Sequence, residues 1–433
     1  MSILLSPEPQ RPRLAVLGLD GLPLDLALEL GHSLPNIGRL AKNAVTVRAE
    51  VPELSPVNWT SFFTGEGPER HGVFGFSHMD PQTYAMRITD SRDVRCPTLF
   101  DKLGEHGLVS RVVNLPNTYP TKPLKGMLIS GFVSHELAGA VYPPFLAGRL
   151  AEENYLLEAD TNRGASDLPY LLDELRHTLR SRLAALDILW PDLAWDLFIH
   201  VFTETDRLFH FFMDAVLHRD HPHHLECMRF LADWDHALGA FLTRYDALPG
   251  PKRLMVLADH GFTEIRTEVC LNTWLKRQGH LVTNSLPADE WDARCIGPET
   301  TAFALDPGRI YLHDNRYSRG RVTAAERQAL LETIRSSLEG LTLNGERVME
   351  QVHEGKDLYP GADAAVLPDL VCQARPGYDL KAKFDRSEIF GLHGRTGTHT
   401  VDGAIFFDSE GTRPKRMRDV GRAILDHFNI ADK

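Results

Sequence analysis

Two short apolar runs in this chain each end in an acid. Leu14 to Leu19 runs into Asp20-Gly21, and Leu254 to Ala258 runs into Asp259-His260-Gly261. Uninterrupted apolar runs of this length, closed by turn-forming residues, read as strands buried on both faces. A strand buried on both faces belongs in a parallel sheet covered by helices, because an antiparallel sheet with one wet face alternates polar and apolar positions. In open sheets of that kind the reactive groups gather beyond the carboxyl ends of the strands, so both acids are expected at the same edge.

The segments between and after these runs fit that architecture. Helices are expected over Pro35 to Ala44, Trp59 to Gly65, Pro97 to Glu105, Asp167 to Asp187, Thr205 to His218 and Ala324 to Glu339. Further strands are expected over Arg309 to Leu312, Asp369 to Ala374 and Ala404 to Phe407. Helices alternating with short apolar strands imply an α/β sandwich with a mostly parallel sheet. Residues 1–12 read as a loose N-terminal arm and 13–433 as a single catalytic domain. A cap insertion that shapes substrate access is expected within the stretch 270–383, which carries no evident metal ligands.

With 433 residues, 43% of them hydrophobic and 24% charged, the chain can bury a large core. A net charge of −12 argues against a nucleic-acid scaffold, which needs clustered Lys and Arg to displace counterions. The five cysteines, Cys96, Cys227, Cys270, Cys295 and Cys372, are scattered and odd in number, as expected of reduced thiols in a cytoplasmic protein. The most apolar long stretch, Leu183 to Phe202, is broken by Asp187, Pro191, Asp192 and Asp196, so no membrane span is expected.

Four stretches carry chemistry. Asp206 and His210 stand four residues apart in an expected helix, which puts both on one face within reach of one ion; alone, such a pair also reads as a surface ion pair. Asp259-His260-Gly261 sets an acid and an imidazole at a strand end, although a capping Asp beside a core His gives the same tripeptide. His399 sits on the loop Gly397-Thr398-His399-Thr400, with His393 a weaker candidate nearby. Ser55 lies just before the expected helix at Trp59, where free N–H groups favour an anionic oxygen and a phosphoryl group; a plain helix cap by Ser55 or Asn58 is the competing reading. Together Asp20, Ser55, Asp206, His210, Asp259, His260 and His399 form a set of hard oxygen and imidazole ligands suited to a pair of divalent ions, Zn²⁺ or Mn²⁺. The run His218, His221, His223, His224, with Pro222 inside it, reads as a solvent-facing loop rather than an accessory metal site.

The combination resembles the alkaline phosphatase superfamily, in particular its type I phosphodiesterase and nucleotide pyrophosphatase branch. The matching segments are Leu19-Asp20-Gly21, Ser55 to Gly65 continuing through Pro68-Glu69-Arg70-His71-Gly72, Asp206 with His210, Asp259-His260-Gly261-Phe262, Gly397-Thr398-His399 and a closing helix over Arg418 to Ile430. The resemblance implies an alkaline phosphatase-like three-layer sandwich with helices on both faces and cap insertions. It also implies that Asp20, Ser55, Asp259 and His260 surround one ion and Asp206, His210 and His399 the other, with Ser55 as nucleophile. Asn58 is expected as an oxyanion partner or a helix cap, Trp59 as core or as lining of the leaving-group side, and His71 has no evident catalytic duty.

In one respect the sequence departs from the branch. Nucleotide pyrophosphatases usually carry Thr at the nucleophile, whereas Ser is typical of monoesterases and mutases. Sulfatases of this fold need an Arg where Trp59 stands. The expected activity is therefore a two-metal phosphoesterase acting on a small diester, pyrophosphate or monoester through a phosphoseryl intermediate on Ser55. A phosphomutase, a phosphonate hydrolase and a catalytically silent binding protein are the alternatives.

Overall fold

In the computed structural model, residues 12–431 are described; the arm read at residues 1–12 lies, Pro12 apart, outside them. The central sheet has eight strands in the order Val45–Val47, Ala404–Asp408, Lys252–Leu257, Arg13–Leu19, Leu197–Phe202, Ser110–Leu115, Gly126–Ser130, Val141–Tyr142. The five from Lys252–Leu257 to Gly126–Ser130 pair in parallel, and the pairings at both margins are antiparallel. Consecutive residues Leu14, Ala15, Val16 and Leu17 are all fully buried, so both faces of the sheet are covered, as the unbroken apolar run requires.

The covering helices gather in two sets. Ser55–Thr64, Leu99–Glu105 and Met417–His427 pack together, and Leu24–Leu30, Pro35–Ala41, Leu168–Leu189, Glu204–Leu217 and His224–Asp246 form the other set. The helix at the nucleophile candidate begins four residues earlier than Trp59: Ser55 is its first helical residue and Pro56 fills the first turn. A proline there costs nothing, because first-turn N–H groups have no partner within the helix, and its fixed φ suits the helix start. All ten residues of this helix are buried. Trp59 takes the core role, fully buried and edge-on to Phe62 at 5.7 Å.

A second apolar cluster lies beyond the sheet. The antiparallel strands Ala302–Leu305, Arg309–Leu312, Leu370–Ala374 and Met349–Glu354 form a four-stranded sheet against which the helix Ala324–Glu339 packs. Their buried residues, from Val269 to Phe384 together with Tyr84, make a core separate from that of the central sheet. Among the described residues no helix is long and apolar enough to cross a membrane. All five cysteines are unpaired.

Candidate active site

The two central strands Arg13–Leu19 and Lys252–Leu257 are neighbours in parallel, so Asp20 and Asp259 leave the sheet side by side. The chain at Gly21 must then turn with φ near +67°, and a Cβ there would stand 3.2 Å from Cβ of Asp206, so glycine fits where another residue would crowd a ligand. Its N–H donates to Asp259 Oδ1 at 3.2 Å. On the other side of the central strand, Leu197–Phe202 leads into the helix Glu204–Leu217, and the Thr205 hydroxyl donates to the Asp20 carbonyl at 2.6 Å. Three ligand-bearing segments are thereby tied to one another before any ion enters.

The fourth arrives by strand pairing. Gly261–Glu264 pairs antiparallel with Gly397–Thr400 in a register that sets Phe262 opposite His399. The imidazole of His399 consequently stacks on that of His260, with ring centroids 3.7 Å apart. His399 Nδ1 donates to the Glu53 carbonyl at 2.8 Å and His260 Nδ1 to the Gly261 carbonyl at 3.1 Å, an assignment that leaves both Nε2 lone pairs facing inward.

The inward-facing atoms converge. Asp206 Oδ1 is 3.4 Å from His210 Nε2 and 3.2 Å from His399 Nε2, and those two nitrogens are 3.0 Å apart. His260 Nε2 lies 3.2 Å from Asp259 Oδ2, 3.8 Å from Asp20 Oδ1 and 3.9 Å from Asp206 Oδ1, so His260 joins two ligand groups, Asp20–Asp259–His260 and Asp206–His260–His399. Ser55 Oγ, at the helix start, is 3.2 Å from His260 Nε2. All seven residues foreseen as ligands are therefore in one place.

Their electrostatics fit cations. Burial and the neighbouring charges of Asp259 and Asp206 push Asp20 well above the usual carboxylate range, and burial pushes Asp259 up to about 6. Burial alone would raise Asp206 too, but its neighbours, the Arg207 guanidinium among them, outweigh it and hold the group well below its ordinary value. Burial lowers His210 to about 3 and His260 to about 4, which keeps the imidazoles neutral. Among the described residues neither Asp20 Oδ1 nor Asp259 Oδ2 accepts a hydrogen bond, although both are buried. Buried carboxylates crowded against one another and against imidazole lone pairs are what a divalent ion relieves, and oxygen with imidazole nitrogen is a donor set for Zn²⁺ or Mn²⁺.

Residues 14–401 match the family model of type I phosphodiesterase / nucleotide pyrophosphatase. The chain belongs to that family. With it comes the alkaline phosphatase superfamily and, at the coarse level, phosphoester hydrolysis. Phosphonoacetate hydrolase from Sinorhizobium meliloti in complex with phosphonoformate is similar in fold, with a TM-score of 0.62 at 15% identity over 97% of this chain and 96% of that one. Murine ectonucleotide pyrophosphatase / phosphodiesterase 5, in an inactive form in complex with AMP, gives a TM-score of 0.58 at 13% identity over 97% and 96% of the two chains. A search of curated proteins finds no match.

Within this family member, Asn58 departs from the expectation. It is fully buried; its Oδ1 accepts from the Glu50 N–H at 2.6 Å and its Nδ2 donates to the Leu54 carbonyl at 3.1 Å. The amide braces the chain leading into Ser55, and the cap position of its helix is Leu54 rather than Asn58. His71 also braces: Nδ1 accepts from the Val73 N–H and Nε2 donates to the Ser61 hydroxyl. His393 is exposed beside Arg386 and away from the cluster. Of the histidine run, His218 contacts Glu264, His221 contacts Asp214, His223 contacts Glu226, and His224 contacts the Ala215 carbonyl.

Three residues at the site escaped the sequence reading. Arg207 reaches Asp206 Oδ2 at 2.5 Å and Glu158 at 3.0 Å, fixing the carboxylate between ring and guanidinium. Glu53, pushed by burial to about 7, offers its carbonyl to His399. Arg395 stands against His210. Arg207 was within reach, being adjacent in sequence to a candidate ligand; Arg395 and Glu53 had no local signal. A cavity of about 510 Å³ opens beside His210, His399 and these three residues, a size suited to a small-molecule substrate.

Proposed function

We propose that this protein is a metal-dependent phosphoesterase that attacks a small phosphate diester, pyrophosphate or monoester with Ser55 and passes through a phosphoseryl intermediate. The observation that carries this reading is the position of Ser55 Oγ, buried at a helix N-terminus and 3.2 Å from the imidazole that joins the two ligand groups. Asp20, Ser55, Asp259 and His260 would hold one divalent ion, and Asp206, His210 and His399 the other, with Zn²⁺ or Mn²⁺ favoured by the donor set. Bound there, the ions would lower the pKa of a hydroxyl or water and neutralise charge gathering on phosphoryl and leaving oxygens.

The chain's own residues supply the rest. A serine hydroxyl is a weak nucleophile until deprotonated, and the positive end of the helix Ser55–Thr64 favours the anionic oxygen. Attack by Ser55 Oγ on phosphorus expels the leaving group, and water then cleaves the serine ester. Arg207 and the carbonyls of Glu53 and Gly261 hold Asp206, His399 and His260 in the orientations this requires. A cap within 270–383 would supply part of the cavity wall, a reading supported by the separate core there and by Trp291, Tyr378 and Lys383 in the lining. A cytoplasmic setting accords with five unpaired cysteines.

The test is metal-free protein reconstituted with Zn²⁺ or Mn²⁺ and assayed on bis(4-nitrophenyl) phosphate, 4-nitrophenyl phosphate and the 4-nitrophenyl ester of thymidine 5′-monophosphate. Turnover of at least one, lost on chelation and in Ser55→Ala with metal content largely kept, is the expected result. Inactivity on all three with metal bound would count against general phosphoesterase action and direct attention to phosphonate cleavage or phosphoryl transfer to an alcohol.

A further inference from the structure

The cavity beside the ligand cluster is lined by five cations, and four of them are already neutralised. Arg207 bonds to Glu158 and Asp206, Arg87 to Asp93, Lys381 to Asp379 at 2.7 Å, and Lys383 to Glu290 and Asp306 at 3.1 and 3.0 Å. Arg395 differs. Among the described residues no carboxylate lies within salt-bridge distance of it, and its one polar contact is Nη1 to His210 Nδ1 at 3.3 Å. Asp379, whose charge Arg395 does influence, has its carboxylate engaged by Lys381. A half-buried guanidinium that lines a cavity with no carboxylate bonded to it forgoes the bidentate bonds it is built to make.

Its position says which part of a substrate it would meet. The ligand atom of His210 is Nε2, which faces Asp206 and His399, whereas Arg395 touches Nδ1 on the far edge of the ring. The imidazole therefore stands between the guanidinium and the ligand cluster. The same cavity is also lined by aromatic rings, Phe76 and Phe132 edge-to-face at 5.8 Å, and Phe211 next to His210 in the chain.

We infer that Arg395 binds a second anionic group, a carboxylate or a phosphate, on the part of the substrate that projects from the scissile phosphorus into this aromatic-lined cavity. This rests on the phosphoesterase reading and narrows it: the preferred substrate carries two anionic groups separated by a short, largely apolar spacer. Arg395 is a specificity-determining residue; its partner is substrate, and it takes no part in the bond-breaking step.

Matched phosphonates test this by binding alone. Phenylphosphonate and 4-carboxyphenylphosphonate differ by one carboxylate held across a ring, a spacing comparable to an imidazole width plus the 3.3 Å contact. Titration calorimetry on the metal-reconstituted protein should show the carboxylated ligand bound about 10- to 100-fold more tightly, as charge-assisted hydrogen bonds to a guanidinium permit. Arg395→Ala should erase the ratio between the two ligands, whatever it does to the affinity for phenylphosphonate itself, and Arg395→Lys should restore part of that ratio. Equal binding of the two ligands by wild type, or a variant that weakens both alike, would overturn the assignment. If the preference is seen and no ester is hydrolysed, the subsite stands and the hydrolase reading falls; if esters are hydrolysed without the preference, the subsite alone falls.

Discussion

Arg418 holds the approach to the nucleophile, and its replacement by methionine should destabilise the protein by an amount set by the carboxylate left behind. The guanidinium donates to both oxygens of Glu50, at 2.8 and 2.7 Å, and to Glu69 at 2.5 Å. The Glu50 side chain is only 2% exposed, and once Arg418 is gone its nearest cation is Arg416 at 3.7 Å. Breaking a buried pair from one side costs about 3–5 kcal/mol, because the remaining charge is stranded without water. Arg418 itself is 16% exposed and Arg416 gives partial compensation, so the lower end, about 3 kcal/mol, is expected. Glu50 also donates its N–H to Asn58, which braces the chain into Ser55, so kcat should fall along with stability. Urea midpoints measured by tryptophan fluorescence read the effect. The double variant Glu50→Leu with Arg418→Met should recover most of the loss, since the more buried carboxylate is then gone and Glu69, 17% exposed, keeps contact with water. A single-variant cost below about 1 kcal/mol, or a double variant no better than the single one, would refute the argument from desolvation.

Other consequences of the geometry can be checked alongside. His260 belongs to both ligand groups and His399 to one; metal analysis after reconstitution should find about one ion lost in His399→Ala and more than one lost in His260→Ala, and equal losses would contradict the shared-ligand arrangement. A Cβ at Gly397 would stand 2.3 Å from the Phe209 carbonyl and 2.7 Å from the Phe262 ring, so Gly397→Ala should push the strand bearing His399 outward, costing about 1–3 kcal/mol and lowering metal occupancy; a wild-type melting temperature and metal content would show that the strand yields freely.

Much of this was legible because the informative patterns are local. An apolar run that stops at an acid gave away Asp20 and Asp259, since a parallel strand buried on both faces leaves no doubt about where its polar end begins. Asp206 and His210 were visible from helical spacing, and they sit in the regular part of their helix, ahead of the break at Phe212. The helix at Ser55 was placed too late because a proline reads as a stop, when in a first turn it is tolerated. The stretch Leu183 to Phe202 was read only as unable to cross a membrane; its last residues are the strand Leu197–Phe202, next to the first strand of the sheet, a pairing that depends on residues far away in sequence. The same limit applies to the site. His399 comes to the cluster through its register with Phe262, and Arg395 acquires meaning only once four other cations are seen to be paired, so neither role can be read from neighbours in the chain. The spacing of Asn58 from Ser55 suits a substrate contact, but spacing alone does not show that its amide turns inward to carbonyls of the preceding loop.

The decisive measurement is chemical trapping of the intermediate. Metal-reconstituted protein mixed with excess bis(4-nitrophenyl) phosphate, quenched in acid within the first turnovers and mapped by peptide mass spectrometry should carry phosphate as a 4-nitrophenyl phosphoryl ester on the peptide containing Ser55. Active protein that yields no modified Ser55 under conditions where intermediate should accumulate, or that carries the group on another residue, would contradict attack by this hydroxyl.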